Sequence, residues 1–371
     1  MRAASLCSGY GGLDMAAAAV FDLELAWYAE VDPDASKVLA HHYPRVPNHG
    51  DITAIDWTQV EPVDLLTAGY PCQPMSFAGR RAGLSDERWL WDDGVFPAIR
   101  DLRPGIVLLE NVPGHLSVGF GRVLGDLAAV GYDASWMCVR ASDVGAPHRR
   151  ERVFIVAQDA DRAASSQWRF AAPGQAQGGR ARADAGGRGG ASAAGGVSLL
   201  PTPTTANSHG NHVNNRGNLL LPGAVALLPT PTVVDARGGR NATSGRTDPD
   251  SQHHSGWTLS DVAHADRWGE YATAIARWEY VTGRPAPEPT EPTAKGGRRL
   301  APPFVEWLMG LPEGWVTEVP RLWRDEDGTE SIVPALTRNA MLRILGNGVV
   351  PQQGAYAISS LLGHVFAEVA A

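Results

Sequence analysis

The chain has 371 residues, 44% of them hydrophobic, enough for one large core and a smaller one, while its apolar runs reach only about half a membrane span, so no transmembrane helix is indicated. Three cysteines, Cys7, Cys72 and Cys138, stand far apart without a Cys-x-x-Cys pair, which argues against a disulfide framework and a cysteine zinc site. The formal net charge is −8, yet residues 161–250 hold nine arginines against five aspartates, so the middle of the chain is basic and suited to phosphates, or else a solvated linker.

Met1-Arg2 followed by Ala and Leu has the outline of a signal peptide, but Gly9, Gly11, Gly12 and Asp14 interrupt it early, and a cytoplasmic protein is expected. Short apolar runs at 3–7, 24–29, 63–68, 106–109 and 153–157 read as strands, with helices between them at 15–21, 35–42, 95–102 and 122–130. That alternation implies an α/β fold with a mostly parallel, Rossmann-like sheet covered on both faces. After Asp159 the composition changes, and residues 171–197, nearly all Gly, Ala, Ser, Arg and Gln, read as a flexible insert. Leu-Pro-Thr-Pro-Thr then occurs twice, at 200–204 and 228–232, which suggests paired loops or edge strands of a small domain. Helical spacing returns over 259–282, with Tyr271, Ile275, Trp278 and Val281 in phase. A proline-rich linker follows at 285–292, and helix-like pieces at 304–309 and 352–369. The expected division is 1–158, 159–300 and 301–371.

Four clusters can carry chemistry. The first strand runs into Cys7-Ser8-Gly9-Tyr10-Gly11-Gly12, where the backbone can approach a ligand, though a tight turn without a ligand has the same pattern. Glu30 ends the second strand, where a carboxylate can accept ribose hydroxyls, and Asp51-Ile52 follows; together they outline an adenosine-binding edge. The third strand leads into Gly69-Tyr70-Pro71-Cys72-Gln73-Pro74, a proline-bounded loop that would present Cys72 rather than bury it, so that a lowered pKa could make it a nucleophile. Glu110-Asn111-Val112-Pro113 ends the next strand, where Glu110 can hold a ring nitrogen or merely cap. Pro147-His148-Arg149-Arg150-Glu151-Arg152 enters the last strand, placing Arg150 and Arg152 on one face. His209, His212, His253 and His254 have no metal-ligand spacing and read as loop histidines.

The order of these blocks, with the closing Leu345-Gly346-Asn347-Gly348-Val349-Val350-Pro351, resembles the DNA cytosine-5 methyltransferases over residues 1–158 and 300–366. The phrase Phe304-Val305-Glu306-Trp307-Leu308-Met309-Gly310 and the repeats resemble phage and prophage members. The resemblance implies a methyltransferase sheet with a smaller target-recognition domain at 159–300, S-adenosylmethionine as methyl donor, and S-adenosylhomocysteine as product. It implies that Cys72 attacks carbon 6 of a flipped-out cytosine, that Glu110 contacts nitrogen 3, and that Arg152 assists with Arg150 nearby. It places Cys7, Gly9, Tyr10, Gly11, Gly12, Glu30, Val31, Asp51, Ile52, Tyr70, Pro71, Asn347 and Val349 around the cofactor. Its partners would be double-stranded DNA and a cognate restriction endonuclease; the protein would be a monomer, cytoplasmic in a bacterial cell, without a membrane and without a metal. The loop from Gln73 to about Trp91, with Gly79, Arg80, Arg81 and Gly83, could close over the base. Three residues depart from the family: Ser5 where an acidic residue usually opens the first block, Cys7 in place of an aromatic, and His148 in place of Gln. Alternatives are an RNA cytosine-5 methyltransferase, a catalytically silent DNA-binding relative, and a nicotinamide oxidoreductase, for which the glycine spacing is wrong.

Overall fold

The computed structural model describes residues 1–71, 90–163, 227–233, 259, 268–293, 296–324 and 330–369. Six strands form the central sheet: β1 (Arg2–Leu6), β2 (Glu24–Ala29), β3 (Leu65–Ala68), β4 (Ile106–Asn111), β5 (Tyr132–Arg140) and β6 (Glu151–Asp159), in the spatial order β2-β1-β3-β4-β6-β5. β1 to β4 are parallel, and β6 runs antiparallel to both neighbours. The expected strands are all present. The sequence reading missed β5: at the sheet edge its side chains are mostly half-exposed, so they lack the clean alternation of a strand with one buried face.

The period-two alternation of buried strands assigns each face. Leu65, Ile106 and Leu108 point to the side covered by helix α1 (Gly12–Ala18), where Ala16, Ala17 and Phe21 meet them. Leu66, Val107 and Leu109 point to the opposite side. There Ala98, Ile99 and Leu102 of helix α3 (Phe96–Leu102) and Val123 and Leu127 of helix α4 (Phe120–Ala129) close the second layer. Helix α2 (Pro33–His42) starts at Asp32, whose carboxylate accepts from the Asp34 and Ala35 amides as an N-cap.

The later elements build a second core and then rejoin the first. Trp278 of helix α5 (Ala272–Thr282) packs with Phe304, Trp307 and Leu308 of helix α6 (Pro302–Leu308) and with Ile344 and Leu345 of helix α7 (Arg338–Asn347). Two short antiparallel pairs flank this core, β7 (Thr290–Pro292) with β8 (Arg298–Leu300), and β9 (Pro320–Arg324) with β10 (Glu330–Pro334). Helix α8 (Pro351–Val369) returns to the sheet, where Ile358, Leu361 and Leu362 join the α1 face. The second Leu-Pro-Thr-Pro-Thr copy is docked rather than free: the Leu228 amide donates to the Pro147 carbonyl at 2.6 Å, and Leu228 bridges His148. The first copy and the insert at 171–197 lie outside the described residues. Among the described residues no helix is long and apolar enough to cross a membrane, and no cluster of His, Cys, Asp and Glu could hold a metal.

Candidate active site

In an open parallel sheet, a ligand cleft forms at the carboxyl ends of strands where the order reverses. Here β1 sends its crossover to β2 on one side and pairs with β3 on the other. A cavity of about 420 Å³ opens there, lined from β1 by Ser5, Cys7, Ser8, Gly9 and Gly12, and from β2 by Glu30, Val31 and Asp32. Asp51 and Ile52, then Thr67, Tyr70 and Pro71 after β3, and Glu110, Asn111 and Arg152 continue the wall, which Arg343, Asn347 and Val349 complete. The turn into α1 needs glycine at one position above all: Gly11 is the helix N-cap with φ 86°, a conformation that costs an L side chain.

Polar groups divide the cavity. At one end both Glu30 oxygens accept backbone amides, from Gly9 at 2.7 Å and from Asp32 at 2.8 Å. Burial nevertheless holds this carboxyl above the usual range. Arg343 of α7 reaches over to ion-pair with Asp32 and Asp34, so the rim of this end is built jointly by the two ends of the chain. Asp51 accepts from its neighbour Thr53 and is held below the usual carboxylate range by those bonds. The Cys7 thiol is pushed up to about 12 by burial and by the nearby Glu30 and Asp51 charges, so it stays protonated and is no nucleophile.

At the other end Glu110 and Arg152 face each other from the antiparallel pair β4 and β6, Oε1 to Nε at 2.9 Å. Burial drives the Glu110 carboxyl upward, against the opposing pull of Arg152 and Arg150. Tyr70 is fixed beside them: its carbonyl accepts from Asn111 Nδ2 at 3.3 Å, and its hydroxyl meets His115 Nε2 at 2.8 Å. His115 Nδ1 lies 3.0 Å from the Val118 carbonyl and donates to it, so Nε2 is the acceptor and the Tyr70 hydroxyl the donor. The backbone leaving β3 is therefore held firmly up to Pro71. Cys72, next in the chain, lies outside the described residues, as do Gln73 to Arg88 and Trp89.

Residues 1–184 match the C-5 cytosine-specific DNA methylase family. That stretch is just under half of the chain, and S-adenosylmethionine is the methyl donor that this likeness supports. The Type II methyltransferase M.NlaIV of Neisseria lactamica is 36% identical over 138 residues, which cover 34% of this chain and 33% of that protein. The DNA N-6-adenine-methyltransferase of Escherichia phage P1 is 40% identical over 140 residues, 33% of this chain and 18% of that protein. The matched stretch thus spans a third or less of these relatives. The crystal structure of the S. pombe Dnmt2 methyltransferase has the same fold, with a TM-score of 0.51 at 16% identity, covering 98% of this chain and 99% of that one.

The cavity fits this donor by two observations. Ser8 Oγ is buried in the wall without a hydrogen-bond partner, as expected of a group that waits for a ligand. At Gly9 a Cβ would meet nothing within 4 Å, so the turn leaves an open cradle against the ligand. Of the residues expected around the cofactor, Cys7, Gly9, Gly12, Glu30, Val31, Asp51, Ile52, Tyr70, Pro71, Asn347 and Val349 line this space.

Three expected site residues do not. Gly11 serves the turn. Tyr10 is fully buried, donates to the Val349 carbonyl at 2.6 Å, and lies so close to Gly348 that any side chain there would overlap its ring. Arg150 does not line the cavity either. Its backbone sits at φ 28°, and its guanidinium donates to the carbonyls of Pro231, Gly346 and Gly348, while its amide donates to Thr230 Oγ1 at 3.1 Å. Sequence placed it on one face with Arg152; the left-handed backbone at Arg150 breaks that alternation and turns it into the second core. Burial lowers its pKa to about 9. It is a structural clamp on the closing motif and on the second repeat. His148, which stands where the family usually has Gln, is completely buried with Nε2 2.9 Å from the Leu308 carbonyl. Sequence reasoning missed the wall residues Thr67 and Arg343, because a hydroxyl in a strand and an arginine in a distant helix carry no local signature; Ser5 and Ser8, which it noted only as a departure from the family and as part of the turn, line the wall as well.

Proposed function

We propose that this methylase transfers a methyl group to carbon 5 of a flipped-out cytosine in a specific duplex DNA sequence, with Cys72 as the transient covalent nucleophile. The observation that carries the reading is the Glu110–Arg152 pair at 2.9 Å, opening on the same cavity as Pro71, the residue before that thiol. Bound in the cavity, S-adenosylmethionine supplies an electrophilic methyl group on a sulfonium. The chain's own residues do the rest. The Cys72 sulfur adds to carbon 6, which turns carbon 5 into a nucleophile. Glu110, whose carboxyl burial raises above the usual range, contacts ring nitrogen 3 and stabilises the charge that builds on the base. Arg152 holds Glu110 in place and offers its remaining N–H groups to the cytosine. Once carbon 5 carries the methyl group, its proton passes to water and the Cys72 thiolate leaves carbon 6, which restores the ring.

In this reading residues 159–300, with their basic bias, recognise the target; the protein acts as a monomer in the bacterial cytoplasm, alongside a cognate restriction endonuclease. The test is bisulfite sequencing of DNA from cells that express the chain or its Cys72→Ser variant. Protected cytosines at one recurrent sequence are expected with the natural chain and none with the variant. Full protection by Cys72→Ser would remove the covalent step. Methylated tRNA with untouched duplex DNA, or methylated adenine in place of cytosine, would overturn the substrate.

A further inference from the structure

Asp14 is a half-buried carboxylate beside the cavity that the reaction above does not employ. It sits in the first turn of α1. Its Oδ2 accepts from Ser5 Oγ at 2.9 Å and its Oδ1 from Thr67 Oγ1 at 2.5 Å. Ser5 and Thr67 are register partners on the parallel strands β1 and β3, so their hydroxyls stand side by side, and both line the cavity. No cation of the described residues offsets the Asp14 charge, and burial holds its carboxyl above the usual range. A partly desolvated carboxylate with no cation beside it is stabilised when something positive comes near.

The hydroxyl chemistry says what that is. Each hydroxyl has one proton to give. Ser5 gives its proton to Asp14. Thr67 has a choice between Asp14 at 2.5 Å and the Ala4 carbonyl at 3.4 Å, and the short, charge-assisted bond wins. Both protons are then committed away from the cavity, and only oxygen lone pairs remain to face it. We propose that Asp14 acts as a positioning residue that turns Ser5 and Thr67 into a pair of acceptors for the ammonium group on the amino-acid end of the cofactor. Asp14 thereby supplies, from the helix, the negative charge that Ser5 lacks at the opening of the first block. The inference rests on the cofactor assignment and adds to it a residue that selects one end of the molecule.

Calorimetric titration separates the two. The ligands are S-adenosylhomocysteine and its analogue without the α-amino group, 5′-deoxy-5′-(3-carboxypropylthio)adenosine, each with the natural chain and with Asp14→Asn. In the variant the amide donates to one hydroxyl, which then turns its own proton into the cavity. S-adenosylhomocysteine is expected to bind about 10- to 100-fold more weakly, as for a lost hydrogen bond to a charged group, while the affinity for the analogue stays within about 2-fold. Equal losses for both ligands would show a merely structural role and overturn the proposal, as would no loss at all. Should Asp14→Asn not fold, Thr67→Val removes one acceptor and must show the same selectivity, or the proposal falls. If the natural chain binds neither ligand, the cofactor assignment fails first and this inference with it.

Discussion

At the residue scale, burial decides which ionisable groups keep their charge. Burial raises the Glu110 carboxyl against the pull of Arg152 and keeps the Cys7 thiol protonated, so the cavity holds a paired carboxyl at one end and an inert sulfur at the other. His148 shows the same effect in a base. Buried against the Leu308 carbonyl, its ring is pushed down to about 3, whereas in the unfolded chain it titrates near 6.5. Because the folded value is the lower one, its contribution to stability is fully present above about pH 6.5 and is lost as the pH falls toward 3. His148→Gln can still donate to that carbonyl but cannot take up a proton. Urea unfolding at pH 7.5 and 5.0 should therefore show a smaller acid-side loss in the variant, by on the order of 1 to 2 kcal/mol over this interval. Asp14, Glu30 and Glu306, whose carboxyls are held above the usual range, act in the opposite sense in both proteins, so the difference between the two isolates His148. Identical pH dependence would contradict a neutral, buried imidazole.

At the scale of elements, the joints matter more than the strands. Arg150 ties β6 to the second Leu-Pro-Thr-Pro-Thr copy and to the Gly346 and Gly348 carbonyls at the end of α7, and Gln353 of α8 donates to the Val139 and Arg150 carbonyls, both at 2.7 Å. Removing the guanidinium leaves several buried carbonyls without a donor. Arg150→Met is expected to cost roughly 3 kcal/mol or more and to admit protease within 227–233 before global unfolding. An unchanged unfolding midpoint with no new cleavage would deny the clamp. The same variant should weaken binding of S-adenosylhomocysteine without touching it, since Asn347 and Val349 line the cavity that the clamp holds.

At the scale of the whole molecule, the two ends of the chain are one unit. The cavity takes its floor from β1 to β4 and its far wall from α7, while α8 covers the α1 face of the sheet with Ile358, Leu361 and Leu362. A chain ending at residue 350 would expose that apolar face and remove the Gln353 donor from the Val139 and Arg150 carbonyls. It is expected to bind a hydrophobic dye and to lose its single cooperative transition, in the manner of a molten globule; a sharp calorimetric transition in the shortened chain would show that the ends are independent.

The amino-acid sequence by itself determined the strand and helix order of the first half, the glycine turn, the Glu30 edge and the Glu110 strand end, because each is local: a period of two or 3.6, a glycine where the backbone turns, a carboxylate at the last residue of a buried run. It also placed most of the cavity wall, through motifs that are contiguous in the chain. What only the tertiary structure decided depends on neighbours far apart in sequence. Edge strand β5 lacks a buried face to betray it; the alternation that would set Arg150 beside Arg152 is broken by its own backbone angle; and Tyr10, which the resemblance puts at the cofactor, lies in the core, where Gly348 leaves room for its ring. Asp14, Ser5 and Thr67 meet only when the register of β1 on β3 brings two strands and a helix together, and no spacing rule within one segment can state that.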